Sequence, residues 1–174
     1  MTIPRHVFFI GARACGKTSV GRRAAEALEA HFVDTDHELV EGVGLEISDY
    51  VERNGWDAFR DRETETLERI VSGPPCVVGC GGGLVLRRRN RKLLAQGFVL
   101  YLEASVDVLA ARLASDPLEA QRPSLTGKSI VDEVAEVLEA RRPLYLEAAD
   151  VVLQDGPLDE VVSRAMLEIG RMKG

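Results

Sequence analysis

The sequence lacks the features that mark membrane, secreted and nucleic-acid-binding proteins. No apolar run reaches the roughly 18 residues that a membrane span needs, and residues 1–9 have no long apolar core of a secretory signal. Basic residues are in deficit, with 22 Lys and Arg against 28 Asp and Glu and a net charge of -6. This balance argues against nucleic acid or an anionic membrane as the main partner. We therefore expect a cytoplasmic protein that holds any anionic ligand in a local basic pocket.

Cysteine is also scarce. The three cysteines are an odd number, and Cys76 and Cys80 have neither the two-residue spacing nor the histidine partners of a structural zinc site. We expect all three to be reduced. We interpret Cys15 as a small space-filling residue rather than a reactive thiol.

What is present predicts an α/β fold in one domain over residues 1–174, which is 45% hydrophobic and long enough to bury a core. Apolar runs at 6–10, 31–33, 76–79, 98–102 and 151–153 predict strands. Helical patterns cover 17–30, 37–72 with a break near 54–55, 87–96, 106–114, 130–149 and 158–172. This alternation implies a three-layer α/β/α architecture, with a central five-stranded parallel sheet covered on both faces.

Residues 11–18 match the phosphate-loop pattern G-x-x-x-x-G-K-[ST], between a predicted strand and a predicted helix. In such a loop the backbone N–H groups and the helix N-terminus hold phosphates, Lys17 reaches the β- and γ-phosphates, and the Thr18 hydroxyl binds magnesium. The pattern implies ATP with Mg²⁺ as ligands, whereas the alternative is a structural glycine turn. The predicted ATP-binding residues here are Gly11, Ala12, Arg13, Ala14, Cys15, Gly16, Lys17, Thr18 and Ser19.

Two carboxylates follow the second predicted strand. Asp34 and Asp36 are one residue apart, so on an extended backbone both project to the same side, at the carboxyl end of a strand beside the phosphate loop. One can hold the magnesium shell while the other engages a substrate hydroxyl. The alternative is a pair of solvated residues that cap the next helix.

Six landmarks, in order along the chain, resemble the shikimate kinase family. They are residues 11–18, Asp34-Thr35-Asp36, Phe59-Arg60, Gly81-Gly82-Gly83, Arg122-Pro123-Ser124-Leu125 and Arg141-Arg142-Pro143-Leu144-Tyr145. The resemblance implies a P-loop NTPase fold like that of the nucleoside monophosphate kinases. It also implies transfer of phosphate from ATP, with Mg²⁺, to the 3-hydroxyl of shikimate, a step of aromatic amino acid biosynthesis.

The same resemblance implies roles by position. Asp34 joins Thr18 at the metal. Asp36 is catalytic together with Lys17: it binds shikimate hydroxyls and can act as the base. Arg60 and Arg141 hold the shikimate carboxylate, for which a planar guanidinium is better suited than an ammonium group. From periodicity alone, both arginines would be exposed helix charges.

Further implied contacts complete the site. Gly81, Gly82 and Gly83 contact the substrate, with Gly82 as the main contributor; a tight turn is the alternative and both can hold at once. Arg122 is a catalytic and ATP-binding arginine on a mobile lid at about 115–128, and the helical segment 37–72 binds substrate. Arg112 packs on the adenine.

Other interpretations stay open at this point. A kinase for gluconate or a nucleoside monophosphate shares the loop and lid, and a nucleotide-driven switch would need no acceptor site. The basic run at 87–92 is best interpreted as a solvated helix face on an acidic domain. We expect ATP and shikimate as partners of a monomer.

Overall fold

The computed structural model describes residues 3–116 and 124–172. Its sheet has five parallel strands in the order β2-β3-β1-β4-β5. The strands are β1 (Val7–Ile10), β2 (Phe32–Asp34), β3 (Val77–Gly79), β4 (Phe98–Glu103) and β5 (Val151–Gln154). The predicted fold class is confirmed.

Seven α-helices surround the sheet in the described ranges. They are α1 (Lys17–Ala27), α2 (Thr35–Val43), α3 (Ile47–Val71), α4 (Arg88–Leu94), α5 (Val106–Ser115), α6 (Ile130–Ala148) and α7 (Leu158–Arg171). A 3₁₀ turn at Leu84–Leu86, which the sequence pattern did not predict, precedes α4. Within those ranges, no helix combines the length and the apolar character needed to cross a membrane.

Two apolar layers cover the sheet because successive strand residues face opposite sides. Val7 and Phe9 of β1 pack with residues of α1, α5 and α7. Phe8 and Ile10 pack on the other side with residues of α3, α4 and α6. All four side chains are fully buried, as expected for a central strand of a parallel sheet.

A third, smaller apolar cluster lies between α2 and α3, around Leu39, Tyr50 and Phe59. Helix α3 is kinked at Gly55, which has φ 84° and ψ 168°, so the interruption predicted near 54–55 is present. Only glycine adopts this backbone conformation at low cost. The kink lets the second half of α3 carry Phe59 and Arg60 to the cleft described below.

One part of the sequence argument was wrong. The strand β2 ends at Asp34 and helix α2 begins at Thr35, so Asp36 lies in the first helical turn and not on extended backbone. The Asp34 side chain accepts hydrogen bonds from the backbone N–H groups of Asp36 and His37, at 3.0 and 3.2 Å. Asp34 is thus the N-cap of α2, which is the alternative that the sequence left open.

Candidate active site

A cleft of about 540 Å³ opens at the carboxyl ends of the strands. This is the edge at which open α/β sheets bind ligands. The lining includes these residues of the predicted site: Arg13, Ala14, Cys15, Gly16, Lys17, Thr18, Ser19, Asp34, Asp36, Arg60, Gly81, Gly82, Gly83, Arg112 and Arg141. Residues that come from distant parts of the sequence therefore share one cavity.

The phosphate loop has the backbone of an anion-binding turn. Gly11 and Gly16 have φ values of 148° and 100°, and Ala14 also has a positive φ of 66°. Ala14 is not a glycine, and its Cβ costs about 1–2 kcal/mol in this left-handed conformation. The Lys17 ammonium donates to the carbonyl oxygens of Gly11 and Ala12, at 2.9 and 2.8 Å, so its charge lies over the loop.

Two oxygen donors face the cleft beside this loop. The Thr18 hydroxyl donates to Asp34 Oδ2 at 3.1 Å, which places a hydroxyl oxygen next to a carboxylate oxygen. Mg²⁺ is commonly held by one or two such oxygens together with substrate phosphates. Over the described ranges, no group of three or more His, Cys, Asp and Glu side chains could hold a metal by itself. This donor set fits a magnesium ion that depends on nucleotide phosphates for its remaining ligands.

The glycine segment, residues 81–83, lies directly against the phosphate loop, and its close contacts depend on the absence of side chains. A Cβ at Gly81 would lie 2.7 Å from Asp36 Oδ1 and 3.1 Å from Glu63 Oε2. The Gly81 N–H donates to the hydroxyl of buried Thr35 at 2.8 Å. Asp36 therefore lies directly against the glycine segment, with a second carboxylate beside it.

Arg60 is held on three sides. Its Nη1 donates to Glu63 Oε1 at 2.5 Å, and its guanidinium lies 5.3 Å from the ring centroid of Trp56. A Cβ at Gly83 would lie only 2.3–2.5 Å from the guanidinium atoms. The side chain is 13% exposed, so Arg60 is not the solvated helix charge that periodicity alone suggested.

Glu63 is 2% exposed, and among the described residues it is the only buried Asp, Glu, Lys or Arg. Burial raises the pKa of Glu63, and the Arg60 guanidinium acts against that shift. Removing the guanidinium would leave a buried carboxylate without its ion-pair partner, which is strongly destabilising. The pair therefore holds Arg60 in one orientation.

Arg141 reaches the glycine segment from α6. Its Nη1 would lie 3.7 Å from a Cβ at Gly82. Burial lowers the pKa of Arg141 below its usual range, the neighbouring Tyr145 opposes that shift, and the positive charge of Arg60 adds to it. The guanidinium groups of Arg60 and Arg141 thus lie in one partly buried region. An anionic ligand bound there would neutralise their positive charge.

The other end of the cleft is closed by Arg112 on α5. Arg112 donates to the carbonyl oxygen of Ala14 at 3.2 Å and, with Nη2, to both carboxylate oxygens of Asp155 at 2.9 and 3.1 Å. These bonds tie the phosphate loop to the turn after β5. The guanidinium plane is held at a fixed angle, as a surface for stacking a base requires.

Two other expectations concern the lid and the basic run. Arg122 lies outside the described residues, as does half of the lid predicted at about 115–128. The basic run 87–92 is largely paired with acidic side chains: Arg87 with Asp61, Arg89 with Glu68 and Arg91 with Glu147. Cys15, Cys76 and Cys80 are buried free thiols.

Sequence reasoning missed Glu63, Tyr145 and Asp155. Glu63 is three residues after Arg60 in a helical pattern, and this spacing could have indicated an ion pair. Tyr145 was noticed only as part of a motif. Asp155 has no local sequence signal for its role, because its pairing with Arg112 joins residues 43 positions apart.

The five-stranded parallel sheet, the phosphate loop and the cleft define a kinase of the P-loop type. A family model described as shikimate kinase matches residues 13–169. Shikimate kinase 2 of Yersinia enterocolitica is 48% identical over 162 residues, which cover 92% of each chain. A structure of the shikimate kinase of Acinetobacter baumannii in complex with shikimate has a TM-score of 0.90 at 30% identity, covering 97% of this chain and 94% of that chain.

A gluconokinase from Sinorhizobium meliloti is more distant, with a TM-score of 0.64 at 25% identity over 99% of this chain and 95% of that chain. The chain belongs to the shikimate kinase family, as its six landmarks predicted.

Proposed function

We propose that the chain transfers the γ-phosphoryl group of ATP to the 3-hydroxyl of shikimate in this cleft, with Mg²⁺, giving shikimate 3-phosphate and ADP. The observation that carries the proposal is that the two guanidinium groups of Arg60 and Arg141 lie with Asp36 along the glycine segment, beside the phosphate loop. Shikimate carries a carboxylate and several hydroxyls. The two guanidinium groups can bind the carboxylate, and Asp36 can bind a hydroxyl.

The donor side follows from the phosphate loop. Its backbone N–H groups and the N-terminus of α1 receive the phosphates, and Lys17 moves from the loop carbonyls to the β- and γ-phosphates. Thr18 and Asp34 would hold Mg²⁺, which would supply positive charge to neutralise the phosphate oxygens. Arg112 presents its face to the adenine.

The acceptor side orients the nucleophile. Arg60 and Arg141 bind the shikimate carboxylate by charge-assisted hydrogen bonds, and Gly82 contributes backbone contact. Asp36 accepts a hydrogen bond from the 3-hydroxyl and aims its oxygen at the γ-phosphorus. The new O–P bond forms as the bond from the γ-phosphorus to the β,γ-bridging oxygen breaks, and the hydroxyl proton leaves toward Asp36.

Charge stabilisation and positioning supply most of the rate in such a transfer, because its transition state is loose. Lys17 acts on the donor phosphates, and we propose the same for Arg122 from its place in the family motif. The ring of Trp56 and the kinked helix α3 keep the Arg60 guanidinium in position to bind the shikimate carboxylate.

A substrate panel tests the proposal. The purified protein is given ATP and Mg²⁺ with shikimate, gluconate or a nucleoside monophosphate, and ADP release is measured. We expect ADP release that depends on shikimate and is at least about 100-fold slower with the other two acceptors. Release that depends on gluconate instead, or none that depends on any acceptor, would contradict the proposal.

The same preparation tests two further expectations. A nucleotide-driven switch without an acceptor site would give no heat on titration with shikimate, whereas the proposed site gives a saturable heat. Each residue proposed for the cleft lies in one chain, and we expect a monomer of 19.0 kDa by light scattering.

A further inference from the structure

A buried tyrosine supports the glycine segment from behind. Tyr145 of α6 is 1% exposed, and its hydroxyl donates to the carbonyl oxygen of Gly82 at 2.6 Å. Burial raises the pKa of Tyr145, so the phenol keeps its proton and remains a donor at neutral pH. The bond is the one hydrogen bond from a side chain to the Gly82 carbonyl in the described ranges.

This hydrogen bond engages a peptide unit that lies beside both guanidinium groups. The Gly82 carbonyl and the Gly83 N–H belong to one planar trans peptide, so fixing the oxygen fixes the whole unit. Arg141 lies against Gly82, and Arg60 lies against Gly83 within 2.5 Å of where a Cβ would be. A glycine pair has wide backbone freedom without such a restraint.

The position of the tyrosine is itself well defined. Its ring stacks on Tyr101 of β4, with centroids 4.9 Å apart and an interplanar angle of 26°. Tyr145 and Arg141 are four residues apart on α6 and therefore lie one above the other on the same face of the helix. Helix α6 thus carries both the Arg141 guanidinium and the Tyr145 hydroxyl that bonds to the Gly82 carbonyl.

We propose that Tyr145 is a positioning residue for carboxylate recognition: its hydroxyl holds the Gly82–Gly83 peptide against which Arg60 and Arg141 are aligned. The inference deepens the proposed function and rests on it. In this proposal Tyr145 contacts neither ATP nor shikimate.

Two matched variants test this inference. Tyr145→Phe removes the hydroxyl and keeps the ring. Tyr101→Phe removes a buried hydroxyl from the same stacked pair, one that lies near Glu103 and makes no hydrogen bond to the glycine segment in the described residues. The KM values for shikimate and ATP, the inhibition constant of methyl shikimate, and Tm are measured for both variants and for the unchanged enzyme.

In Tyr145→Phe we expect the KM for shikimate to rise about 3- to 10-fold, which corresponds to one neutral hydrogen bond. The KM for ATP should stay within about twofold. Inhibition by methyl shikimate should also change less than about twofold, because the ester lacks the carboxylate through which the two arginines act. Tyr101→Phe should leave all three constants unchanged.

Hydrogen exchange gives a readout independent of turnover. The backbone amides of the glycine segment should exchange faster in Tyr145→Phe, while those of the phosphate loop keep their rates. An unchanged KM for shikimate in folded Tyr145→Phe, an equal rise for ATP, or an equal loss for the methyl ester would overturn the inference. Absence of shikimate-dependent ADP release in the unchanged enzyme would instead overturn the proposed function.

Discussion

At the scale of single residues, the glycine segment at 81–83 brings its backbone close to neighbouring side chains because glycine has no Cβ. Gly81, Gly82 and Gly83 bring the backbone within contact of Asp36, Arg141 and Arg60 respectively. Gly83 has a negative φ of -93°, so its backbone conformation is open to any residue. Space, and not backbone strain, is what requires glycine at this position.

Gly83→Ala should therefore damage the site more than the fold. The new Cβ meets the end of the Arg60 side chain, which can move aside at the expense of its alignment. We expect the KM for shikimate to rise at least about tenfold while Tm changes by less than about 4 °C. Gly42→Ala in α2, where a Cβ meets nothing within 4 Å, is the control. A large loss of Tm with Gly83→Ala would contradict the assignment of this effect to Arg60.

Arg60→Lys tests the planar guanidinium. Lysine keeps the positive charge beside Glu63, but it cannot donate two parallel hydrogen bonds or stack on Trp56 in the same way. We expect shikimate binding to weaken about 10- to 100-fold and ATP binding to change less than about twofold, as measured by calorimetry. Arg69→Lys, at an exposed ion pair on the same helix, is the control. Equal losses for both ligands would point to misfolding.

At the scale of secondary-structure elements, the junction of β2 and α2 combines two functions in Asp34. One carboxylate oxygen caps the helix, and the other accepts from Thr18 at the proposed metal site. A substitution to alanine would mix the two effects. Asparagine separates them because it is as good an N-cap as aspartate.

For Asp34→Asn we expect a change in unfolding free energy below about 0.5 kcal/mol, whereas Asp34→Ala costs about 1 kcal/mol. Activity should fall at least about tenfold in both variants, because both remove the carboxylate that we propose as a magnesium ligand, and raised Mg²⁺ should recover part of the activity. Denaturation curves and ADP release measured over a range of Mg²⁺ concentrations check this. Full activity in Asp34→Asn would exclude the metal role.

The end of β4 gives a pH-dependent contact between elements. The hydrogen bond from Arg142 lowers the pKa of Glu103, and Gln154 of β5 adds to this against the effect of burial. A carboxyl whose pKa is lowered on folding contributes stability that is fully present above its ordinary pKa of about 4.3 and is lost as the pH falls through the folded value.

Glu103→Gln should remove this contribution. We expect it to destabilise the protein by up to about 1 kcal/mol at pH 7, since Arg142 is half exposed, and the difference should shrink below about pH 4. Tm measured from pH 3 to pH 8 checks this, with Glu139→Gln on the exposed face of α6 as control. A difference that grows toward low pH would contradict it.

At the scale of the whole molecule, the cleft joins elements from both apolar layers. The phosphate loop precedes α1 on one face of the sheet, while Arg60 and Arg141 come from helices on the other. Ligands that bind across this edge must therefore stabilise the folded state as a whole. Ligand binding can then be measured as thermal stabilisation.

Shikimate at 100 times its Kd should add about 2.7 kcal/mol of stability, or about 5–10 °C in Tm. Gluconate at the same concentration should add less than about 1 °C. Differential scanning fluorimetry measures both shifts. At the same shikimate concentration the shift should fall to about half or less in Gly83→Ala, whereas a shift by ATP should remain. A shift with gluconate as large as that with shikimate would contradict the acceptor assignment.

Local patterns were sufficient for much of the fold and the donor side. The phosphate loop could be predicted because its residues are contiguous and its turn needs glycines at set positions. The strands could be predicted because a buried parallel strand needs an apolar run. The first turn of α2 was misjudged at Asp36, because capping by Asp34 favours a helix one residue after the strand ends.

By itself, the sequence determined the fold class, the position of the phosphate loop and the family, since these depend on local spacing and on motifs in order. Only the tertiary structure decided which contacts hold the site residues in place. Glu63 under Arg60, Tyr145 behind Gly82 and Asp155 on Arg112 are contacts that depend on packing. Two of the three join residues 43 or more positions apart, and their distances follow only when the sheet and its two helical layers close around the cleft.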